Sequence, residues 1–170
     1  SVTSEIGHGS QFSLQFPLPI DPNAQVTKYD VSSLQGKKAL IVDDIAVNRQ
    51  VLKEQLESWG VTSDSAADGV EGLKTLKQAQ EQNQPYDFVL LDYLMPGLNG
   101  QEWAEMVHNN KTVHAPPTIM LSSCDQSVST NALRKIGITN YLVKPVREKR
   151  LHEAIVEAVS SFNSDKAQTP

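Results

Sequence analysis

Four short apolar runs, each ended by a charged or hydroxyl side chain, constrain this sequence more than any other feature. The runs end at Asp43 and Asp44, at Asp92, at Ser122 and at Lys144. Continuous apolar runs are typical of strands in a parallel sheet that is covered on both faces. The carboxyl ends of such strands form the crevice in which ligands bind. We therefore expect three acids, a hydroxyl and a lysine to converge at one edge of a sheet.

From Lys37 onward, strand patterns alternate with helix patterns. The predicted strands are 38–43, 61–66, 87–92, 117–122 and 140–144, and the predicted helices are 46–58, 69–80, 99–109, 126–136 and 147–160. Asp68 with Glu71 predicts a capping box, and Gly72 inside the second helix is expected to cost about 1 kcal/mol relative to alanine. Five strand–helix units predict an α/β fold, a doubly wound five-stranded parallel sheet in a three-layer α/β/α sandwich.

The composition narrows the class of protein. With 170 residues, 39% of them hydrophobic, the chain is long enough for one domain with flanking segments. The net charge of −5 argues against a nucleic-acid surface, and the basic residues Arg147, Lys149 and Arg150 alternate with acids, as on a solvated helix face. One cysteine, Cys124, excludes an internal disulfide and fits a reducing, cytoplasmic compartment. No apolar run approaches the roughly 18 residues that span a bilayer.

The two ends of the chain differ from its middle. Residues 1–20 predict a turn and a short strand, because apolar residues alternate at Phe12, Leu14 and Phe16 before prolines follow. Residues 21–36 are polar and predict a linker, and residues 162–170 predict a disordered tail. Because the chain starts at Ser1 without a signal peptide or an initiator methionine, we expect a piece of a longer protein.

The predicted cluster suits phosphoryl chemistry. Carboxylates that share a crevice raise one another's pKa, and Mg²⁺, which is typically held by one or two carboxylates plus phosphate oxygens, would offset their charge. An aspartate can act as a nucleophile toward phosphorus, while a metal and a lysine stabilise the transferred group. Each residue alone has a simpler interpretation, such as a turn or cap aspartate or a solvated lysine; the combination favours a site. Pro145 could hold the Lys144 loop, with a cis bond as the rarer outcome.

These motifs resemble the receiver domain of two-component response regulators, which has a flavodoxin-like fold, over residues 37–161. The matching segments are Ile41-Val42-Asp43-Asp44, Leu91-Asp92-Tyr93-Leu94-Met95-Pro96-Gly97-Leu98-Asn99-Gly100, Leu121-Ser122-Ser123 and Tyr141-Leu142-Val143-Lys144-Pro145. The resemblance implies that Asp92 accepts the phosphoryl group. It also implies that Asp44 binds Mg²⁺ directly and Asp43 binds it through water.

The same resemblance assigns the remaining site residues. The backbone carbonyl of Leu94 would be a further metal ligand, and Lys144 would contact the phosphoryl oxygens. Ser122 would move toward the phosphoryl group, and Tyr141 would rotate inward as a switch. The simpler alternatives are that Tyr141 is part of the core and that Leu94 only packs the loop.

A second resemblance lies at the N-terminus. Residues 4–19 are similar to the end of the ATP-binding domain of sensor histidine kinases, which implies a hybrid kinase with a fused receiver. The alternative is a Gly/Ser-rich tag or linker. The four histidines, His8, His108, His114 and His152, lack the setting of a kinase phosphodonor, and His152 is interpreted as a surface residue.

The sequence is compatible with three functions. The first is a phosphoacceptor that receives the phosphoryl group from a phosphohistidine domain of a kinase or a phosphotransfer protein. The second is a pseudo-receiver that binds partners without phosphorylation, although such domains usually lose an acid or the lysine. The third is an Asp-nucleophile phosphatase, which needs Asp-x-Asp where this chain has adjacent acids. The fragment itself would have at most self-phosphorylation and self-dephosphorylation activity, and its parent is expected at the inner face of the cell membrane.

Overall fold

The structure is a computed structural model that describes residues 1–17, 31–110, 112–123 and 130–167. The strands are β1 (Val2–Glu5), β2 (Gly9–Phe12), β3 (Lys38–Val42), β4 (Thr62–Ala66), β5 (Phe88–Asp92), β6 (Thr118–Ser122) and β7 (Ile138–Val143). The helices are α1 (Ala46–Ser58), α2 (Gly69–Glu81), α3 (Gly100–Asn109), α4 (Thr130–Arg134) and α5 (Glu148–Ala167), with a short 3-10 helix at Val31–Ser33. Of the predicted fourth helix, 126–136, residues 126–129 lie outside the described residues.

Five of the strands form one parallel sheet in the order β4-β3-β5-β6-β7. Successive residues of each central strand face opposite sides, so Ala39 and Ile41 join one core cluster and Leu40 and Val42 the other. The first cluster includes residues of α1 and α5, and the second includes residues of α2 and α3. Burial on both faces explains the continuous apolar runs. The predicted doubly wound parallel sheet is confirmed.

Glycines let α2 approach the sheet closely. A Cβ atom added at Gly72 would lie 3.0 and 3.1 Å from the two methyl groups of Val42, and one at Gly69 would lie 2.9 Å from both Leu98 and Trp103. The propensity cost expected for Gly72 is therefore offset by close helix–sheet packing.

The capping prediction at α2 is partly confirmed. The Asp68 side chain accepts a hydrogen bond from the Glu71 N–H at 2.8 Å, but the Glu71 carboxylate accepts from Ala67 rather than from Asp68. A complete capping box occurs instead at α3, between Asn99 and Glu102. The sequence carries the signal for this box, which is an Asn followed three residues later by a Glu.

The predicted linker ends earlier than expected. Leu34 is fully buried in the cluster that contains Trp59 and Val61, and Gly36 donates a hydrogen bond to the Gly60 carbonyl at 2.9 Å. The part of the linker prediction that covers 31–36 is therefore wrong, whereas residues 21–30 lie outside the described residues. The apolar residues in the stretch 21–36 are few and poorly periodic, so the sequence pattern does not reveal the burial of Leu34.

Two further expectations are corrected at the C-terminal helix. It continues to Ala167, past the end predicted at 160 and into the predicted tail, because the segment lacks Gly and Pro and the Phe162 ring lies 5.7 Å from the His114 ring. Residues 168–170 lie outside the described residues.

His152 is buried against Trp59, with ring centroids 5.1 Å apart, and is not a surface residue. The salt bridges from Lys149 and Arg150 to Glu153 are exposed, as predicted for this face.

The N-terminal segment forms a hairpin rather than one unpaired strand. Strands β1 and β2 pair in antiparallel fashion, with Val2 opposite Phe12, and the turn uses Gly7 and Gly9 at positive φ. The alternating residues Leu14 and Phe16 lie beyond the strand, which ends at Phe12. Every residue from 1 to 17 is exposed.

Removal of residues 1–30 is expected to leave the α/β domain intact. A variant that starts at Val31 keeps Leu34, and the hydrogen bonds of the exposed hairpin to described residues stay within residues 1–13. We expect its free energy of unfolding in denaturant to change by no more than about 0.5 kcal/mol, with unchanged Mg²⁺ affinity. Leu34→Ala is the matched control and should cost about 2–5 kcal/mol. A loss of several kcal/mol in the shortened chain would show that the segment packs on the domain.

Candidate functional site

The predicted site residues lie at the carboxyl edge of the sheet. Asp43 and Asp44 follow β3, whereas Asp92 and Ser122 are the last residues of β5 and β6. Lys144 follows β7, and its N–H donates to the Ser122 carbonyl at 2.7 Å. The peptide bond between Lys144 and Pro145 is cis. Parallel strands in register thus bring residues that are far apart in sequence to one edge.

Lys144 joins two of the three acids. Its Nζ lies 2.5 Å from Asp92 Oδ1 and 2.9 Å from Asp43 Oδ2. Both acids are almost completely buried: 5% of the surface of Asp92 and 1% of the surface of Asp43 are exposed. Burial alone would lower the pKa of Lys144, but the hydrogen bonds and charges of the two carboxylates outweigh it and raise the pKa. The lysine is therefore held as a cation between the acids.

Asp92 is a carboxylate in an unfavourable setting for charge. Burial raises the pKa of Asp92, and the nearby Asp43 carboxylate adds to the rise. Lys144 and a main-chain hydrogen bond from Leu94 oppose the rise without cancelling it. A buried carboxylate that contacts one ammonium group has the chemistry of a nucleophile toward phosphorus, with a cation beside it to offset negative charge.

Asp43 is held by several donors. Its Oδ1 accepts a hydrogen bond from the Ile45 N–H at 2.8 Å, and the Asn48 amide nitrogen lies 3.2 and 3.1 Å from its two carboxylate oxygens. Arg49 donates to the Asp43 main-chain carbonyl at 2.7 Å. Sequence reasoning missed Asn48 and Arg49. The available signal was their position in the first turn of the helix that follows the acids.

The other predicted residues have different surroundings. Asp44 is half-buried, and among the described residues none donates a hydrogen bond to its side chain. Ser122 is fully buried, whereas Tyr141 is half-buried against the cluster that contains Trp103. The Leu94 side chain is half exposed. Their roles in binding or switching stay predictions.

The loop after Asp92 is tightly constrained where it returns to the site. The Gly100 N–H donates to the Tyr93 carbonyl at 2.9 Å. A Cβ added at Gly100 would overlap the main-chain oxygen of Asp92 and lie 3.0 Å from the Tyr93 Cα. The close approach places the start of α3 directly against the backbone of Asp92.

The donor set fits a hard cation that keeps water ligands. In the described ranges, no three Asp, Glu, His or Cys side chains form a group able to hold a metal by themselves. Mg²⁺ is usually bound by one or two carboxylates, waters and phosphate oxygens, and does not need such a group. Asp44, which has no protein partner among the described residues, and buried Asp92 offer the required oxygen chemistry.

An α/β/α sandwich with an Asp–Lys–Asp cluster at the carboxyl edge defines the class of protein, and comparison with known sequences identifies its family. The model of the response regulator receiver domain matches residues 39–156, which is more than half of the chain. The chain belongs to this family and is a receiver domain of two-component systems.

Named relatives include proteins much longer than this chain. The autoinducer 2 sensor kinase/phosphatase LuxQ of Vibrio parahaemolyticus is 28% identical over 95% of this chain and 19% of the relative. The osmosensing histidine protein kinase SLN1 of Saccharomyces cerevisiae is 24% identical over 85% of the chain and 12% of the relative. The chain thus spans about a fifth or less of these two relatives.

Solved structures match the domain alone. A CheY-like response regulator receiver domain protein from Methanospirillum hungatei is 26% identical, with a TM-score of 0.65. The match covers 76% of this chain and 98% of that one.

Among the helices of the described residues, none is both long and apolar enough to cross a membrane.

Proposed function

We propose that this chain takes a phosphoryl group from a phosphohistidine onto Asp92 and, in this way, relays a signal. The observation that carries the proposal is the contact of the buried Asp92 carboxylate with Lys144, beside a second buried acid, Asp43. This arrangement combines a nucleophile with a cation that can follow the charge of the transferred group.

The transfer moves one phosphoryl group between two nucleophiles. A carboxylate oxygen of Asp92 bonds to phosphorus while the bond from phosphorus to the histidine nitrogen breaks, and the electron pair of that bond stays on the imidazole. Lys144 moves from the carboxylates to the new phosphoryl oxygens. When bound, Mg²⁺ would offset the negative charge that gathers on those oxygens; Asp44 and Asp92 would hold it with the Leu94 carbonyl, and Asp43 through water.

Ser122 and Tyr141 would report the modification. Ser122, at the end of the strand beside Asp92, would donate a hydrogen bond to a phosphoryl oxygen. Tyr141 lies on β7 opposite Met120 and would rotate toward the space that Ser122 vacates. A change in these two side chains would alter the surface around β7, where a partner could read the state of Asp92.

The test is incubation with Mg²⁺ and a small acyl phosphate, followed by intact mass and mapping of the modified residue. A gain of about 80 Da on Asp92, one phosphoryl group, supports the proposal. Continuous turnover of the acyl phosphate without a stable adduct would favour a phosphatase. No reaction would favour a binding module that acts without phosphorylation. The contact of Lys144 with both Asp43 and Asp92, beside the adjacent acid Asp44 in sequence, supports the first outcome.

We also propose that the parent is a hybrid sensor histidine kinase, in which the hairpin β1–β2 is the end of an ATP-binding domain. The LuxQ and SLN1 relatives support this proposal, as do the exposed apolar residues Val2 and Phe12 of the hairpin and Leu14 just after it. The phosphohistidine domain of the kinase, or a histidine phosphotransfer domain, would then be the partner. The receiver would act in the cytoplasm, with the parent anchored at the membrane.

The aspartyl-phosphate is expected to persist for minutes or longer. Hydrolysis needs a water molecule aimed at phosphorus, and positioning is most of the catalysis in such reactions. Leu94, two residues after the acceptor, offers no polar group and its half-exposed side chain can shield the site. Cys124, two residues after Ser122, has a similar expected role but lies outside the described residues.

The lifetime is measured as the decay of purified phosphoprotein in Mg²⁺ at neutral pH. Leu94→Asn and Cys124→Glu, alone and together, should accelerate the decay because they offer groups that can orient water. Leu94→Met is the control for a change of shape without polarity. Decay within seconds in the parent, or no acceleration in the double variant, would contradict the expectation.

A further inference from the structure

The two adjacent acids at the end of β3 have different environments. Asp43 receives hydrogen bonds from Ile45, Asn48 and Lys144, whereas no donor among the described residues reaches the Asp44 side chain. Two chemically identical side chains therefore differ in their hydrogen bonds to the protein. Asp43 is fixed by the protein, and Asp44 is left available for an external cation.

We propose that Asn48 is a positioning residue that holds the Asp43 carboxylate in place when Lys144 is drawn from Asp43 to a phosphoryl group on Asp92. The inference rests on the proposed function, because it concerns the state that phosphorylation produces. It assigns a role in the site to a residue of α1 that the family resemblance did not include.

Lys144 is shared between two acids. One ammonium group contacts both Asp43 and Asp92, at 2.9 and 2.5 Å. If it follows the phosphoryl oxygens, Asp43, which is 1% exposed, loses its direct contact with a charged group, because Mg²⁺ would reach Asp43 only through water. A buried carboxylate that loses its partner is costly unless other hydrogen bonds remain. The Asn48 amide and the Ile45 N–H are the remaining donors to its side chain among the described residues.

The Asn48 amide is suited to hold a carboxylate without adding charge. Its nitrogen lies almost equally far from both carboxylate oxygens, at 3.2 and 3.1 Å, so it restrains rotation of the carboxylate. A lysine or arginine at this position would neutralise Asp43 and compete with a cation. An amide donates hydrogen bonds without adding charge, so the acidity of the site is preserved.

The helix that carries Asn48, α1, is attached to Asp43 at its first turn. The N-terminus of α1 lacks a side-chain cap at Ile45. Instead, Asn48 binds the side chain of Asp43 and Arg49 binds its main-chain carbonyl at 2.7 Å. The first turn of α1 is therefore attached to both parts of the same acid, which gives the amide a fixed position relative to the sheet.

The functional test compares Asn48→Leu with Gln50→Leu. Both changes replace an amide with a similar apolar side chain on α1, but Gln50 is exposed and bonds to Glu54 rather than to the site. The rate of phosphoryl uptake from a small acyl phosphate is measured at saturating Mg²⁺, so that a change in metal affinity does not alter the rate. Asn48→Leu should slow uptake about tenfold or more, and Gln50→Leu should match the parent. Equal rates for Asn48→Leu and the parent would overturn the proposal.

A second test needs neither metal nor phosphoryl group. Melting temperatures are measured for the parent, Asn48→Leu, Asp43→Ala and the double variant without Mg²⁺. If Asn48 acts through Asp43, Asn48→Leu should lower the melting temperature clearly in the parent and little in the Asp43→Ala background. Additive shifts would overturn the proposal. Absence of uptake by the parent would overturn the proposed function, and this cycle would still decide whether the amide acts through Asp43.

Discussion

Asp92→Asn is expected to abolish phosphoryl uptake while the fold is retained. The amide has nearly the same shape as the carboxylate but is not a nucleophile toward phosphorus. Asp92 is the acid that Lys144 contacts most closely, and it lies at the end of the central strand β5. Intact mass after incubation with Mg²⁺ and an acyl phosphate should show no added phosphoryl group.

The same variant is expected to keep or raise the melting temperature in the absence of metal. Burial and the nearby Asp43 disfavour the charge on Asp92, so its removal relieves both effects. Lys144 keeps Asp43 as a partner. Glu148→Gln, an exposed change of the same chemical type, is the control. Phosphoryl uptake by the Asp92→Asn variant at another acid would contradict the assignment of the acceptor.

Gly100→Ala is expected to have the second-largest effect. The added methyl group would overlap the Asp92 carbonyl oxygen and lie 3.0 Å from the Tyr93 Cα, so α3 or the backbone of the acceptor must shift. We expect a loss of about 1–3 kcal/mol or more in the free energy of unfolding, as for overpacked sites. Phosphoryl uptake should also slow, because the carboxylate moves relative to Lys144.

The matched control for Gly100 lies three residues earlier. Gly97 has a positive φ of 83°, and a Cβ there meets no atom within 4 Å. Gly97→Asn should be tolerated, since asparagine adopts this conformation more readily than other residues with side chains. Denaturant unfolding and uptake rates are compared for both variants. Equal effects of the two changes would show that the contact between Gly100 and Asp92 is unimportant.

Local pattern was sufficient to predict the α/β sandwich and the edge that carries the site. The runs before Asp43, Asp92, Ser122 and Lys144 are apolar because their strands are buried on both faces, and that requirement is visible in sequence. Once the strands are parallel, their carboxyl ends share an edge, so the proximity of Asp92 to Lys144 followed from topology alone.

Other features depended on contacts between segments that are distant in sequence. Leu34 belongs to a stretch whose few apolar residues are poorly periodic and therefore predict a linker, yet its side chain packs in the core cluster that contains Trp59. His152 looked like a surface residue because its burial is set by where α1 and α5 meet. The pairing of β1 with β2 is not visible in the sequence pattern, because the apolar alternation at Phe12, Leu14 and Phe16 lies mostly beyond β2.

The sequence by itself determined that Asp43, Asp44, Asp92, Ser122 and Lys144 stand at the carboxyl ends of strands, since strand periodicity shows where each buried run ends. The tertiary structure decided how those groups differ: Asp43 is held by Asn48 and Lys144, while Asp44 is left without a partner among the described residues. The physical reason is that periodicity encodes only which face of an element is buried. Hydrogen-bond geometry and the close approach of Gly100 to Asp92 depend on how whole elements are positioned against one another.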